Sequence, residues 1–293
     1  MSNYQSGIMD AVPAHGRHLF FVAAPGASFL QAMHKLRDIA DGNAVVVGLG
    51  QSLVNSLGHE VPGLAVFPRY AGAGFDVPST PYALWCWLRG DDRGDLVHRT
   101  RQIEHALSPA LRLEHGIDVF KFKSGLDLTG YEDGTENPQD AAALEAAIVK
   151  ASGPGLDGSS FVAVQQWVHD LDHFEAMSAS DQDNTIGRHK MGNEEIDDAP
   201  DSAHVKRTAQ ESFDPEAFIL RRSMPWADDK QAGLMFVAFG QSFTAYEALL
   251  RHMTGKDDGI VDALFSFTRP VSGAYFWCPP MLNGRLDLRA VGL

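Results

Sequence analysis

Three observations on this 293-residue chain predict an α+β fold of two tandem halves. Segments that read as strands and helices follow the order β-α-β-β-α-β, and the same order then recurs, which is the ferredoxin-like pattern twice over. With 44% hydrophobic and 10% aromatic residues the chain can fill a core in each half, and it is longer than a typical single-core domain. Between the repeats, Asp140 to Gly158 runs from Ala-rich to Gly- and Asp-rich and reads as a linker.

The elements follow in order. His18 to Ala23 is an apolar run of strand length, Ser28 to Ile39 has the spacing of an amphipathic helix, and Ala44 to Gly48 is a second strand rich in valine. Tyr82 to Leu88 is the third strand, Asp95 to Leu107 the second helix, and Val119 to Phe122 the fourth strand. In the second half Ser160 to Val168 is a strand and Leu171 to Met177 a short helix. Ile219 to Arg222 and Leu234 to Phe239 are strands, Ser242 to Met253 a helix, and Ala274 to Trp277 the closing strand. The expected division is residues 1–139, a linker over 140–158, and residues 159–293, with an insertion in the second half that carries His204.

Composition narrows the function. A formal net charge of −14 with no basic run argues against a nucleic-acid surface, which needs clustered Lys and Arg, and mildly favours cationic small molecules. The only two cysteines, Cys86 and Cys278, make no disulfide framework and read as buried reduced thiols. The start shows no basic region followed by an apolar run, and no apolar stretch reaches membrane-spanning length, so the expectation is a cytoplasmic protein without a membrane partner.

Three separated segments carry chemistry. Gly130-Tyr131-Glu132-Asp133-Gly134-Thr135-Glu136-Asn137-Pro138 sets an acid on a glycine turn. Asp201-Ser202-Ala203-His204-Val205-Lys206-Arg207 supplies an imidazole, and Ile219-Leu220-Arg221-Arg222-Ser223-Met224-Pro225 a cation. Together these are the groups a haem peroxidase needs: an axial nitrogen for iron, and an acid and a fixed positive charge for the peroxide.

The acid segment resembles the signature of the dye-decolourising peroxidases, and the His and Arg segments follow in the order and approximate spacing of the bacterial cytoplasmic B-type (P-class) branch. Val164 to Leu171, Ile186-Gly187-Arg188, Gly233 to Phe239 and Phe267 to Pro280 also look like family segments, so the resemblance covers most of the chain. It implies two ferredoxin-like halves of the dimeric α/β-barrel type, antiparallel sheets packed together with helices at the periphery, and one haem b per chain held mainly by the second half. The implied activity is oxidation of dyes, phenols and other aromatics by hydrogen peroxide; the alternative is a haem-handling protein without significant turnover. A homo-oligomer is expected from the same resemblance. Cargo of a nanocompartment shell is disfavoured, because relatives with that role carry an extended docking tail beyond the segment that here ends at Arg289 to Leu293.

Roles attach to residues as follows. Among 12 histidines only His204 matches the family's proximal iron ligand. Of the acids Asp257, Asp258 and Asp262, the last is favoured as the carboxylate that orients the His204 ring, because an apolar stretch follows it. Asp133 is the expected proton shuttle and Arg221 the stabiliser of the departing oxygen; alternation along a strand puts Ser223 on the Arg221 face in support, and Arg222 on the other. Arg207, three residues after His204, is the expected partner of the haem propionates, ahead of Lys206. Leu234, Phe236 and Met224 suit packing against the porphyrin by residue type.

Overall fold

The computed structural model describes residues 2–72 and 74–293. Its first half contains β1 (His15–Ala23), α1 (Leu30–Ile39), β2 (Val45–Leu49), β3 (Leu84–Gly90), α2 (Arg93–Leu107) and β4 (Leu111–Phe120). The strands lie antiparallel in the order β4-β1-β3-β2. After helix α3 (Asp140–Ala147) the second half begins with β5 (Ser160–His169), α4 (Leu171–Ala176), α5 (Ala179–Ile186) and the single turn α6 (His204–Arg207). It continues with β6 (Leu220–Arg221), β7 (Met224–Ala227), β8 (Ala232–Gly240), α7 (Thr244–Met253), β9 (Thr268–Pro270) and β10 (Ala274–Cys278). Here the order is β10-β5-β8-β6, with β7 also on β8 and β9 also on β5. In both halves the first strand lies between the last strand and the third, so the α+β class and the ferredoxin-like order stand.

The halves meet where β10 runs antiparallel to β2, with Trp277 opposite Leu49, giving one ten-stranded sheet. Joining them removes two exposed strand edges at once. Alternation along the strands divides the apolar side chains between two layers. One layer, containing Phe21, Val47, Leu36, Ile103 and Leu250, lies under α1, α2 and α7. The other, containing Trp85, Trp87, Val164, Met235 and Phe239, fills the opposite face. His18 belongs to this second layer, between the Trp85 and Trp87 rings, and accepts a hydrogen bond from Trp85 Nε1 at 3.1 Å. Burial pushes its pKa down to about 3, so it is a neutral packing group.

Two expectations change. Strand β4 starts at Leu111, well before Val119, and its early residues alternate with exposed Arg112, Glu114 and His115. It is an edge strand, and a polar edge strand has no apolar run to announce it. The segment expected to be a linker opens with a helix, α3, whose Ala143 and Ala147 are buried. Alanine loses the least side-chain entropy on entering a helix, so an Ala-rich run folds once it has a surface to pack on. Cys86 and Cys278 are free and buried, and burial raises both thiol pKa values above the ordinary range. Among the described residues no helix is long and apolar enough to cross a membrane.

Candidate active site

A cavity of about 260 Å³ lies between β5, β8, α7 and the loops that carry Asp133 and His204. Its apolar wall is set by strand and helix period. Leu234 and Phe236, two apart on β8, face it while Met235 faces the other layer. Leu249, Leu250 and Met253 face it from one side of α7.

His204 opens the short turn α6 and lies on the cavity wall. Its Nδ1 is 2.8 Å from Asp262 Oδ2, and the Asp262 side chain is wholly buried. The other Asp262 oxygen accepts the Leu264 N–H at 2.8 Å, capping a 3₁₀ turn at Ala263–Ser266, and its own N–H donates to the Met253 carbonyl at 2.8 Å. A carboxylate held in this way can only accept. Nδ1 is therefore the donor of this pair, and Nε2 makes no hydrogen bond among the described residues. A carboxylate-backed imidazole with its Nε2 unengaged is the arrangement an iron ligand requires.

Asp133 Oδ1 is 3.5 Å from Arg221 Nη1, both side chains more than four-fifths buried. Positive φ at Gly130 (+88°) and Gly134 (+76°) turns the acid loop back on itself. The Tyr131 hydroxyl ties that loop to α5 by donating to Asp183 Oδ1 at 2.5 Å. A second cavity, about 300 Å³, lies against the same pair and is lined in part by Lys121, Phe122, Arg222 and Ser223. Asp133 and Arg221 are on the walls of both cavities.

Ser223 borders this second cavity and not that of His204, and its hydroxyl accepts the Val237 N–H at 3.4 Å. Two of the expected cofactor contacts lie off the wall of the His204 cavity, and of these Met224 lines the second cavity. Met224 pairs with Met235 across β7 and β8 and is buried in the layer with Trp226 and Val237, because directly opposite residues share a face. It does not line the His204 cavity. Arg207 does not line it either: its guanidinium makes a two-pronged bond to Asp258 at 2.7 and 2.8 Å and donates to the His252 carbonyl at 2.5 Å. The Gly255 N–H also donates to that carbonyl, at 3.0 Å, where α7 ends, and a cation beside the open end of a helix is favourably placed. The pairing holds the Asp258 carboxyl well below its usual range. Arg207→Leu is accordingly expected to destabilise the haem-free protein by about 2 kcal/mol, read as a lowered melting temperature. Unchanged stability with weakened haem binding would reinstate the propionate role.

Other wall residues escaped the sequence reading. Arg188, part of the Ile-Gly-Arg segment, bonds Glu136 and Glu195 at 2.5 Å each. His169 lies between Thr268 Oγ1 at 2.6 Å and Asp127 Oδ2 at 3.1 Å. Burial of Asp127 is outweighed by the His169 and Thr129 bonds, which hold its carboxyl below the ordinary value. The Arg188–Glu136 and His169–Asp127 pairings join residues 52 and 42 apart in the chain, so spacing gave no sign of them. Gln165 and Trp167, also on the wall, each have a buried N–H donor, Nε2 and Nε1, without a partner among the described residues. A backed imidazole with its Nε2 unengaged, apolar walls and unpartnered donors fit a haem, whose faces are apolar and whose carboxylates accept.

The model of the C-terminal domain of Dyp-type peroxidases matches residues 124–283. A curated dye-decolorizing peroxidase of Rhodococcus erythropolis is 31% identical over 260 residues, 86% of this chain and 76% of that protein. One from Mycobacterium tuberculosis is 29% identical over 251 residues, 83% and 75% of the two. Among solved structures, a putative Dyp-type peroxidase from Shewanella oneidensis superposes with a TM-score of 0.88 at 27% identity, covering 99% of this chain and 98% of its own. A variant of DypB from Rhodococcus jostii in complex with heme superposes with a TM-score of 0.82 at 26% identity, covering 92% and 93%.

Proposed function

This chain belongs to the dye-decolorizing peroxidase family and is a haem-dependent enzyme that uses hydrogen peroxide to oxidise reducing substrates, and from that premise we propose how its own residues divide the work. The observation that carries the proposal is the Asp133–Arg221 pair at 3.5 Å on the wall of the same cavity as His204, which Asp262 backs from behind. His204 offers Nε2 to the iron, and Asp262 fixes the ring and strengthens it as a donor. Leu234, Phe236, Leu249, Leu250 and Met253 pack against the macrocycle and exclude water. When bound, the haem supplies the redox chemistry, a two-electron oxidation by peroxide followed by two one-electron reductions by donors.

Asp133 accepts a proton from the incoming hydrogen peroxide and returns it to the oxygen that departs. Arg221 holds a permanent positive charge beside that oxygen as negative charge develops there. Ser223, on the second cavity, supports ordered water next to the pair. The donors we assign are phenols, dyes and other small aromatics, with cationic ones favoured by the net charge of −14. The same reading makes the enzyme cytoplasmic and homo-oligomeric.

The test is an absorption spectrum of the purified protein with added haem, then with one equivalent of hydrogen peroxide, then with a phenolic donor. A ferric haem band that changes with peroxide and is restored by the donor is the expected result. Haem that binds without productive reaction would favour the haem-handling alternative.

A further inference from the structure

Arg221 lies on β6, a two-residue strand at the edge of the ten-stranded sheet, with β8 on one side and, among the described residues, no strand on the other. Two side-chain amides take the place of the missing strand. The Arg221 N–H donates to Asn137 Oδ1 at 2.8 Å, and Asn137 Nδ2 donates to the Arg221 carbonyl at 3.0 Å. That carbonyl also accepts from Arg222 Nη1 at 3.1 Å. Two residues earlier, the Ile219 N–H donates to Gln210 Oε1 at 2.9 Å, and Gln210 Nε2 donates to the Glu136 carbonyl at 2.9 Å. Each amide faces a donor with its oxygen and an acceptor with its nitrogen, so a flip would lose both bonds of either residue.

These contacts connect two distant parts of the chain. Asn137 and Glu136 belong to the loop that presents Asp133, and Ile219 and Arg221 to the segment that presents the cation. Asn137 lines the second cavity and Gln210, itself buried, lines the His204 cavity, so the amides flank the catalytic pair. Direct contact between Asp133 and Arg221 is a single 3.5 Å approach, too loose to fix their separation by itself. Four amide bonds of 2.8 to 3.0 Å are the stronger constraint.

We propose that Asn137 and Gln210 are positioning residues for the peroxide reaction, setting the distance between the Asp133 carboxylate and the Arg221 guanidinium by clamping the edge strand to the acid loop. The proposal rests on the roles given to Asp133 and Arg221 above. A displacement of about 1 Å can cost about 100-fold in rate, so a residue that touches neither reactant can still set the turnover.

The test is a double-mutant cycle on the haem-loaded enzyme together with amide hydrogen exchange on the haem-free protein. Asn137→Ala is expected to lower the rate constant for reaction with peroxide by about 10- to 100-fold, with haem content and the donor-oxidation step unchanged. In an Arg221→Leu background the same substitution should cost less than about twofold, because it acts through the arginine. Exchange at the Arg221 amide should rise about tenfold in Asn137→Ala, and at the Ile219 amide in Gln210→Ala. If Asn137→Ala does not fold, Asn137→Ser and Gln210→Glu carry the same comparisons. A wild-type enzyme inert to peroxide overturns the functional reading. Wild-type reactivity with an unaltered rate in Asn137→Ala, or the same cost in both backgrounds, overturns this one.

Discussion

Arg221→Leu is expected to lower the rate constant for reaction of the haem-loaded enzyme with hydrogen peroxide by about 100- to 1000-fold, and by more than Asp133→Asn does. The reason lies in the pair itself. Asp133→Asn removes one proton carrier but keeps the fixed guanidinium, and water from the second cavity can take over part of the proton transfer. Arg221→Leu removes the charge that stabilises the departing oxygen and also strips the mostly buried Asp133 carboxylate of its cationic partner. Stopped-flow measurement of both variants at several peroxide concentrations decides the order. A slower Asp133→Asn would shift the main catalytic burden to the acid.

Asp262→Asn is expected to weaken haem retention by about 10- to 100-fold, and His204→Ala by more. The introduced amide would still offer an oxygen, but without the negative charge that makes the imidazole a strong donor. The two effects separate in the spectrum and the potential: Asp262→Asn should bind haem with a raised reduction potential, whereas His204→Ala should lose the imidazole-ligated band. His204→Ala also leaves the buried Asp262 carboxylate facing an empty space, so its haem-free form should melt lower. Unchanged haem affinity and potential in Asp262→Asn would remove Asp262 from the site.

The fold was legible because it is written in period. β5, β8 and β10 are apolar runs, and α1 and α7 have helical spacing, so their positions follow from local chemistry. β4 was partly missed because an edge strand alternates with charge, and α3 because alanine and glycine side by side read as a break. Of the site, Asp133, His204 and Arg221 stood out as segments, and Asp262 by its place before an apolar turn. Residue type and proximity to a ligand do not say which way the side chains of Arg207 and Met224 turn. The Met224 register on Met235 and the open end of α7 above Arg207 decided that.

By itself the sequence determined the order of elements, the two-half architecture and the three chemical groups, because strand and helix periods and turn chemistry act over a few residues. Only the tertiary structure decided which groups meet. The His204–Asp262 pair spans 58 residues, the Asn137 bonds to Arg221 span 84, and the joining of β2 to β10 crosses the halves. Such contacts are set by which faces are buried together, and burial belongs to the folded chain as a whole.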